Sequence, residues 1–332
     1  MRVLICGGGG FLGTRVTGET AGRGHETVAL DRFCFLDASS FGDLFRGLPG
    51  RVIPVRGDIR RLQAVPEALR EVDRIVHLIL PGPEDLAGLG EETLRDVCVD
   101  ATRELAAAAA RTGVRRFVLV TDAPGHTEEP VNRLHREAEQ VLLAFADTGM
   151  EPVFIRCGPL FGVSPRMRFD LPLHRQLKEL LDQGASADDL WRAAVGSGGI
   201  PVGYAAARIA ELALDQAEAG GVWTLGRAGT GSAEAESRAV PEPSETTVRQ
   251  ALELLAAGLR SGRWDPDAAV GHNRRIWAQL RTAAALEGGE PAAPRFIPLA
   301  RPCVGEAEEQ AVLEAIRSGW MTSGPHVPAF ER

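Results

Sequence analysis

A run of glycines near the amino terminus has the composition and spacing of a phosphate-binding turn. The apolar segment from Arg2 to Cys6 leads directly into Gly7-Gly8-Gly9-Gly10-Phe11-Leu12-Gly13, a G-x-x-G-x-x-G pattern, and a helix is predicted over residues 11–23. Glycine permits a tight turn and a close approach of the backbone, while the N–H groups that begin a helix attract an anion. The pattern predicts a pyrophosphate site formed by Gly7, Gly10, Phe11, Leu12 and Gly13.

An acidic residue follows at the distance expected for a ribose contact. The segment from Glu26 to Leu30 predicts a second strand that ends at Asp31, close to the offset of about 20 residues that this motif requires. A carboxylate at this position accepts a hydrogen bond from the ribose 2′-hydroxyl and repels a 2′-phosphate, so Asp31 favours NAD over NADP. The adjacent Arg32 weakens that preference, and NADP remains the alternative cofactor.

The groups that usually perform hydride chemistry beside such a site are not suitably spaced. Tyr204 is the single tyrosine of the chain, and Lys178 is the single lysine, 26 positions earlier. The pattern Tyr-x-x-x-Lys puts both side chains on one face of a helix, and these two residues cannot form it. The sequence therefore indicates a dinucleotide-binding protein more firmly than an active dehydrogenase.

Bulk properties exclude several classes of partner. The 332 residues carry a formal net charge of −8, which argues against a nucleic-acid surface. No run reaches the ~18 apolar residues of a membrane helix, and the first apolar run is too short for a signal peptide. The five cysteines are scattered and no cluster suggests a metal site. The simplest setting is a reducing cytoplasm.

The elements that must position these residues alternate along the chain. Strand and helix patterns follow one another through residue 227, which predicts an α/β domain with a doubly wound parallel sheet over 1–227. Residues 228–246 have the composition of a linker, and 247–287 predict a helical segment of two helices. A short linker at 288–294 precedes a final segment, 295–332, of different character.

The first domain resembles the extended short-chain dehydrogenase/reductases known as the NAD-dependent epimerase/dehydratase family, which act on nucleotide sugars. The motifs that carry the resemblance, besides the glycines and Asp31, are Gly57-Asp58-Ile59, His77-Leu78, Gly113 to Val118 and Arg156 to Gly162. The resemblance implies that Asp58 and Ile59 lie by the adenine and that Leu78, Ile79 and Leu80 line the cofactor groove. It also implies a nucleotide-sugar ligand.

The catalytic positions of that family are altered here. Its Ser/Thr position holds Asp122, its tyrosine falls at Val131, its lysine at His135 and its asparagine at Cys98. Valine cannot move a proton, whereas histidine exchanges one near neutral pH. Asp122 and His135 are therefore the local candidates for acid/base groups, against the simpler interpretation of a solvated loop and a polar helix end.

The last 38 residues resemble the beginning of a DegT-type sugar aminotransferase. The resemblance rests on Phe296 to Pro302, Val312 to Pro325 and Phe330-Glu331. Such enzymes use pyridoxal phosphate, but a catalytic domain with a Schiff-base lysine does not follow in this sequence. Pyridoxal phosphate is therefore not expected in this chain, which we interpret as part of a longer fusion or the product of a truncated gene, with an aminotransferase as partner.

Three functions remain open on this basis. The first is a degenerate epimerase/dehydratase domain that binds NAD(H) and serves a deoxy- or amino-sugar pathway. The second is an active enzyme with displaced acid/base residues. The third is a non-enzymatic dinucleotide-binding scaffold for a sugar aminotransferase. A homodimer through the predicted helices 92–112 and 132–147 is also expected from the resemblance.

Overall fold

A parallel sheet of eight strands forms the centre of the structure, a computed structural model that describes residues 1–33, 38–64, 66–78, 88–123, 130–215, 220–226 and 237–264. The strands are β1 (Arg2–Cys6), β2 (Glu26–Asp31), β3 (Val52–Arg56), β4 (Arg74–His77), β5 (Arg116–Asp122), β6 (Glu151–Cys157), β9 (Gly221–Leu225) and β10 (Arg238–Ala239). Two short strands, β7 (Leu160–Phe161) and β8 (Ile200–Pro201), pair separately. The predicted doubly wound α/β fold is confirmed.

The strand order places a binding crevice beside β1. The order is β10-β9-β6-β5-β4-β1-β2-β3, so the chain winds outward first to one side of β1 and then to the other. In open parallel sheets, ligands bind at the carboxyl ends of the strands where this order reverses. The reversal lies between β1 and β4, and the glycine run leaves the carboxyl end of β1.

The helices of the described residues cover both faces of the sheet. They are α1 (Phe11–Gly22), α2 (Ala38–Asp43), α3 (Glu91–Arg95), α4 (Ala101–Thr112), α5 (Val131–Leu143), α6 (Pro172–Asp182), α7 (Ala187–Gly196), α8 (Val202–Leu214) and α9 (Glu245–Arg260). Short 3₁₀ segments span Ile59–Ala64, Pro66–Leu69 and Ala146–Thr148. No helix among these residues is long and apolar enough to cross a membrane.

Two apolar layers cover the faces of the sheet, and further apolar clusters lie beside them. On one face, α4 and α5 bury Leu105, Ala138 and Leu142 against the sheet. On the other face, α1 and α8 contribute Val16, Ala205 and Ile209. A third cluster joins α6, α7 and α9 to the first residue of α1. The glycine helix is therefore held by packing on the sheet and by the segments that follow β6.

Three sequence expectations differ from the structure in detail. The helix predicted over 92–112 contains a π-helical turn at Asp96–Asp100, between α3 and α4. Within the predicted linker 228–246, Arg238–Ala239 pairs in parallel with β9. The helical segment 247–287 is not separate over its first part, because α9 buries Val248 and Leu252 in the third cluster.

The chain divides into two compact units, residues 1–284 and 285–332. The second unit, and with it the predicted aminotransferase-like segment 295–332, lies outside the described residues. The apolar residues predicted to form a dimer interface are largely covered within the first unit, since Leu134, Ala138 and Leu142 are fully buried. Packing within the first unit accounts for them, since Ala138 and Leu142 lie in the layer on the sheet and Leu134 packs against neighbouring helices, and the homodimer stays a prediction.

Candidate functional site

The glycine run closes a tight turn between β1 and α1. Gly7 adopts a left-handed conformation with φ of 83°, and its N–H donates to the carbonyl of Leu30 at 2.8 Å. Gly10 N–H donates to the Gly7 carbonyl at 2.9 Å. A Cβ on Gly13 would lie 1.8 Å from the Gly7 carbonyl oxygen. The conformation of the turn itself therefore requires glycine at positions 7 and 13. The spacing of the motif alone could not separate this structural requirement from a role in binding.

The beginning of α1 presents peptide N–H groups at the predicted pyrophosphate position. The helix begins at Phe11, and its N-cap, Gly10, has no side chain with which to cap it. The first N–H groups of a helix lack partners within the helix. Those of Phe11, Leu12 and Gly13 therefore provide the donors and the positive end of the helix dipole that an anion requires.

Asp31 lies directly against this turn, at the carboxyl end of β2. One carboxylate oxygen accepts a hydrogen bond from Gly9 N–H at 3.1 Å, and the other accepts one from Phe33 N–H at 2.9 Å. Burial raises the pKa of Asp31, although these hydrogen bonds oppose the rise. The structure brings Asp31 together with the glycines as predicted, and it adds Gly9 as the residue that connects them.

The predicted adenine-side residues have contacts that the sequence did not indicate. Asp58 accepts a bidentate pair of hydrogen bonds from Arg60, at 2.7 and 3.1 Å, and Arg32 lies 3.8 Å from the same carboxylate. Burial alone would raise the pKa of Asp58, but the hydrogen bonds from Arg60 outweigh it and the pKa is lowered. Ile59 is buried in the core below.

Of the three predicted groove residues, the structure describes one. Leu78 follows β4 directly and its N–H donates to the carbonyl of Cys6, beside the glycine turn. Its side chain is half-buried against the core of that face. Ile79 and Leu80 lie outside the described residues, so their predicted role is untested.

The two acid/base candidates lie together at the carboxyl end of β5. His135 Nδ1 is 4.0 Å from an Asp122 carboxylate oxygen. The His135 ring is buried, with 4% of its side chain exposed, whereas 38% of the Asp122 side chain is exposed. Such a pair can exchange a proton with a ligand only through Asp122, because the imidazole is enclosed. The solvated-loop interpretation does not describe His135.

The positions predicted to correspond to the family's tyrosine and asparagine lie in an apolar cluster. Val131, the first residue of α5, packs in one cluster with Cys98, Leu94 and Leu134. Cys98 lies in the π-helical turn. Neither side chain can donate a proton in this setting, since one is a hydrocarbon and the other is a buried thiol. The described residues also contain no group of ligands that could hold a metal.

The single tyrosine and the single lysine are used elsewhere. The Tyr204 hydroxyl, on α8, donates to the carbonyl of Pro241. Lys178, on α6, pairs with Asp182 one turn later at 2.6 Å. The two residues lie on different helices, in agreement with their spacing in the sequence, and neither lies at the carboxyl end of β5.

A buried polar network lies next to the candidate pair in sequence, on β5, α5 and β6. Glu139 lies one turn after His135 on α5 and accepts a hydrogen bond from the Thr121 hydroxyl at 3.0 Å. It also accepts two hydrogen bonds from Arg156 on β6, at 2.7 and 3.1 Å. Sequence reasoning missed this network because its members come from three separate elements.

The segment that follows β7 contacts the beginning of α1. Arg15 Nε donates to the carbonyl of Val163 at 2.9 Å, and the Ser164 hydroxyl donates to the carbonyl of Phe11 at 2.7 Å. The contact between Ser164 and Phe11 joins residues 153 positions apart, so no local sequence pattern predicts it. The first turn of the glycine helix is therefore held from outside the glycine motif.

Comparison with known proteins identifies the family. A model of the NAD dependent epimerase/dehydratase family matches residues 3–190, more than half of the chain. The chain belongs to this family. The match includes the glycine turn, Asp31 and the candidate pair Asp122 and His135, and it confirms the resemblance of the first domain.

Individual relatives are more distant. A UDP-glucose 4-epimerase of Klebsiella pneumoniae is 26% identical over 39% of this chain and 95% of its own length. A 2-alkyl-3-oxoalkanoate reductase of Stenotrophomonas maltophilia is 26% identical, covering 90% of this chain and 88% of its own. The solved structure of the Thermus thermophilus UDP-glucose 4-epimerase in complex with NAD has a TM-score of 0.56 and 19% identity, covering 79% of this chain and all of that one. The structural likeness shows the fold alone.

Proposed function

We propose that this chain binds NAD(H) at the carboxyl edge of the sheet between β1 and β4. The observation that carries the proposal is the beginning of α1, where uncapped N–H groups follow a turn whose glycines leave no side chain in the way. These residues fit a pyrophosphate. Asp31 is in position for the adenosine ribose, and its carboxylate disfavours a 2′-phosphate, so NAD is preferred over NADP.

The second ligand in this proposal is a nucleotide sugar. The names of the Klebsiella and Thermus relatives, both UDP-glucose 4-epimerases, support this class. The Stenotrophomonas reductase has a name that describes a different carbonyl substrate, so sugar binding needs its own test. Titration calorimetry with NAD⁺, NADH, NADP⁺ and UDP-glucose measures both parts of the proposal. Absence of any dinucleotide binding at millimolar concentration would contradict it.

The proposed role is that of a degenerate epimerase/dehydratase domain in a deoxy- or amino-sugar pathway. Bound NAD supplies a nicotinamide ring that accepts or donates a hydride. The chain itself supplies no phenol at Val131, and general acid/base catalysis contributes ~10²–10⁴-fold. We therefore expect turnover of nucleotide sugars far below the ordinary range of roughly 1–10³ s⁻¹. Restoring the pair with Val131→Tyr and His135→Lys should raise it.

The proximity of Asp122 and His135 favours one alternative, an active enzyme with displaced acid/base groups. In that case the Asp122 carboxylate takes up the substrate proton and becomes neutral, while His135, 4.0 Å behind it, positions the carboxyl group. Asp122→Asn should then lower kcat by at least about tenfold, within the range of acid/base effects. Asp147→Asn, an exposed change in the turn before β6, is the matched control. Equal turnover of both variants and the unmutated chain would exclude this alternative.

Two partner proposals accompany either role. One is a homodimer through α4 and α5, for which light scattering at micromolar concentration is the test and a strict monomer the contrary result. The other is a sugar aminotransferase, suggested by the sequence of residues 295–332. If the dinucleotide binds but no nucleotide sugar is bound or turned over, the non-enzymatic dinucleotide-binding scaffold is the remaining form of that association. The reading frame downstream of codon 332 tests whether an aminotransferase is fused to this chain.

A further inference from the structure

His174, on α6, is a buried histidine whose two ring nitrogens both contact the segment of residues 162–170. Its Nε2 accepts a hydrogen bond from Gly162 N–H at 3.0 Å. Its Nδ1 lies 2.6 Å from the carbonyl oxygen of Arg168, to which only a protonated nitrogen can donate. These two partners determine a neutral imidazole with the proton on Nδ1.

The same segment reaches the glycine helix. Ser164 donates to the carbonyl of Phe11, and Arg15 donates to the carbonyl of Val163. The His174 ring itself packs edge-on against the Phe11 ring, with centroids 5.2 Å apart. Phe11 is the first residue of α1 and supplies one of the N–H groups that face the predicted pyrophosphate. His174 therefore contacts the 162–170 segment on one side and the first residue of α1 on the other, and we call this pair of contacts the brace.

We propose that His174 is a positioning residue that holds residues 162–170 against the first turn of α1 and so keeps that turn in its dinucleotide-binding conformation. The proposal rests on the proposed NAD(H) binding and adds a residue that the glycine motif does not contain. His174 is not expected to touch the cofactor. Its effect passes through Phe11 and through the contact of Ser164 with the Phe11 carbonyl.

Protonation of His174 should release this brace. A proton on Nε2 would face the Gly162 N–H, and two donors cannot share a hydrogen bond. Among the charged groups around the ring, Asp170 favours the imidazolium, and Arg168 opposes it. Arg166 acts on Asp170, and Arg15 on α1 bonds to Val163. Burial, the largest influence, lowers the pKa of His174 below its ordinary value near 6.5, so the brace is intact at neutral pH.

The test compares NAD(H) affinity across pH in the full-length chain. Isothermal titration from pH 8 to pH 5 is carried out on the unmutated chain and on His174→Gln, whose amide oxygen can accept from Gly162 N–H without titrating. His174→Leu removes the acceptor, and His25→Gln, at the far end of α1, is the matched control. Exchange of the Gly162 amide proton, followed by NMR, reports the brace without any cofactor.

The expected results are specific. Affinity of the unmutated chain and of His25→Gln falls by up to about tenfold per pH unit below the pKa of His174. The profile of His174→Gln lacks this component and keeps only the part due to Asp31, whose pKa burial raises. His174→Leu binds about tenfold more weakly at pH 8 and exchanges the Gly162 amide faster. Identical pH profiles for the unmutated chain and His174→Gln, or full affinity in His174→Leu, would overturn the role of His174 alone. No binding by the unmutated chain at pH 8 would overturn the proposed function. In that case the Gly162 exchange still tests His174 separately, because an unchanged exchange rate in His174→Leu would show that His174 does not hold the segment.

Discussion

At the scale of single residues, the three glycines of the motif are glycine for different reasons. Gly7 has a left-handed backbone conformation, which favours glycine. Gly13 must lack a Cβ because the Gly7 carbonyl oxygen lies where that atom would be. Gly10 has an ordinary φ of −74°, but a Cβ there would meet the Gly7 carbonyl oxygen at 3.1 Å, which is a tight contact. A longer side chain at Gly10 would also enter the space in which we propose that the pyrophosphate lies.

Gly10→Glu should abolish NAD(H) binding while the chain stays folded. The carboxylate would occupy the pyrophosphate space and repel it, so we expect at least a tenfold loss, which corresponds to about 1.4 kcal/mol. Titration calorimetry measures the effect. Gly10→Ala is the control, since its methyl group carries no charge. Undiminished binding by Gly10→Glu would mean that the pyrophosphate lies elsewhere.

Gly13→Ala should destabilise the fold itself. Its Cβ would lie 1.8 Å from backbone, and overpacking of this kind costs about 1–3 kcal/mol or more. Gly22→Ala makes the same change at the exposed end of the same helix, where a Cβ meets nothing within 4 Å. There alanine should stabilise by about 0.5–1 kcal/mol. Urea unfolding compares the two, and equal free energies of unfolding would contradict the described close approach.

At the scale of elements, α5 carries two polar residues, His135 and Glu139, on the face that meets the sheet. His135 and Glu139 are four positions apart and both are largely enclosed. They succeed Val131 on the same face of the helix. The first position on this face, Val131, belongs to an apolar cluster with Cys98.

Glu139→Gln should cost much more stability than an equivalent change at the surface. The carboxylate of Glu139 and the guanidinium of Arg156 each have 13% of their side chain exposed. Removing one charge of such a buried pair costs on the order of 3 kcal/mol. Asp182→Asn, which breaks the exposed pair with Lys178, should cost no more than about 0.5 kcal/mol. Denaturant unfolding of both variants provides the comparison, and similar losses would contradict the buried network.

At the scale of the whole molecule, stability should fall in mild acid because neutral histidines are buried in the fold. His77, at the end of β4, is fully buried beside Thr102, and burial lowers its pKa to about 4. Its unfolded pKa is near 6.5. The unfolded chain therefore takes up a proton first as the pH falls. This contribution to stability is complete above pH 6.5 and is lost progressively toward pH 4.

The expected loss from His77 is on the order of 2 kcal/mol between pH 7.5 and pH 5. Urea unfolding at the two pH values should show a smaller difference for His77→Gln than for the unmutated chain. His25 is only partly buried, and burial also lowers its pKa, so His25→Gln should reduce the difference by a smaller amount than His77→Gln does. The raised pKa of Asp31 acts in the opposite direction, but it is common to all three proteins and cancels. A His77→Gln variant with the full pH dependence would contradict the assignment.

The sequence by itself determined the features that depend on neighbours along the chain. Glycine spacing, the strand that ends at Asp31 and the alternation of strand and helix patterns are local, and they were sufficient for the doubly wound sheet and for the glycine turn. The loss of Tyr-x-x-x-Lys was equally readable, because two residues on different helices cannot share one helical face.

Only the tertiary structure decided which distant groups meet. It brought Asp122 within 4.0 Å of His135, engaged Asp58 with Arg60, and joined α9 to the first domain instead of leaving it in a separate segment. It also brought the Ser164 hydroxyl to the Phe11 carbonyl and the His174 ring to the Gly162 N–H. The physical reason is that periodicity reports only which face of an element is apolar. The partner of a buried polar group is set by how loops and helices from remote parts of the chain pack around it.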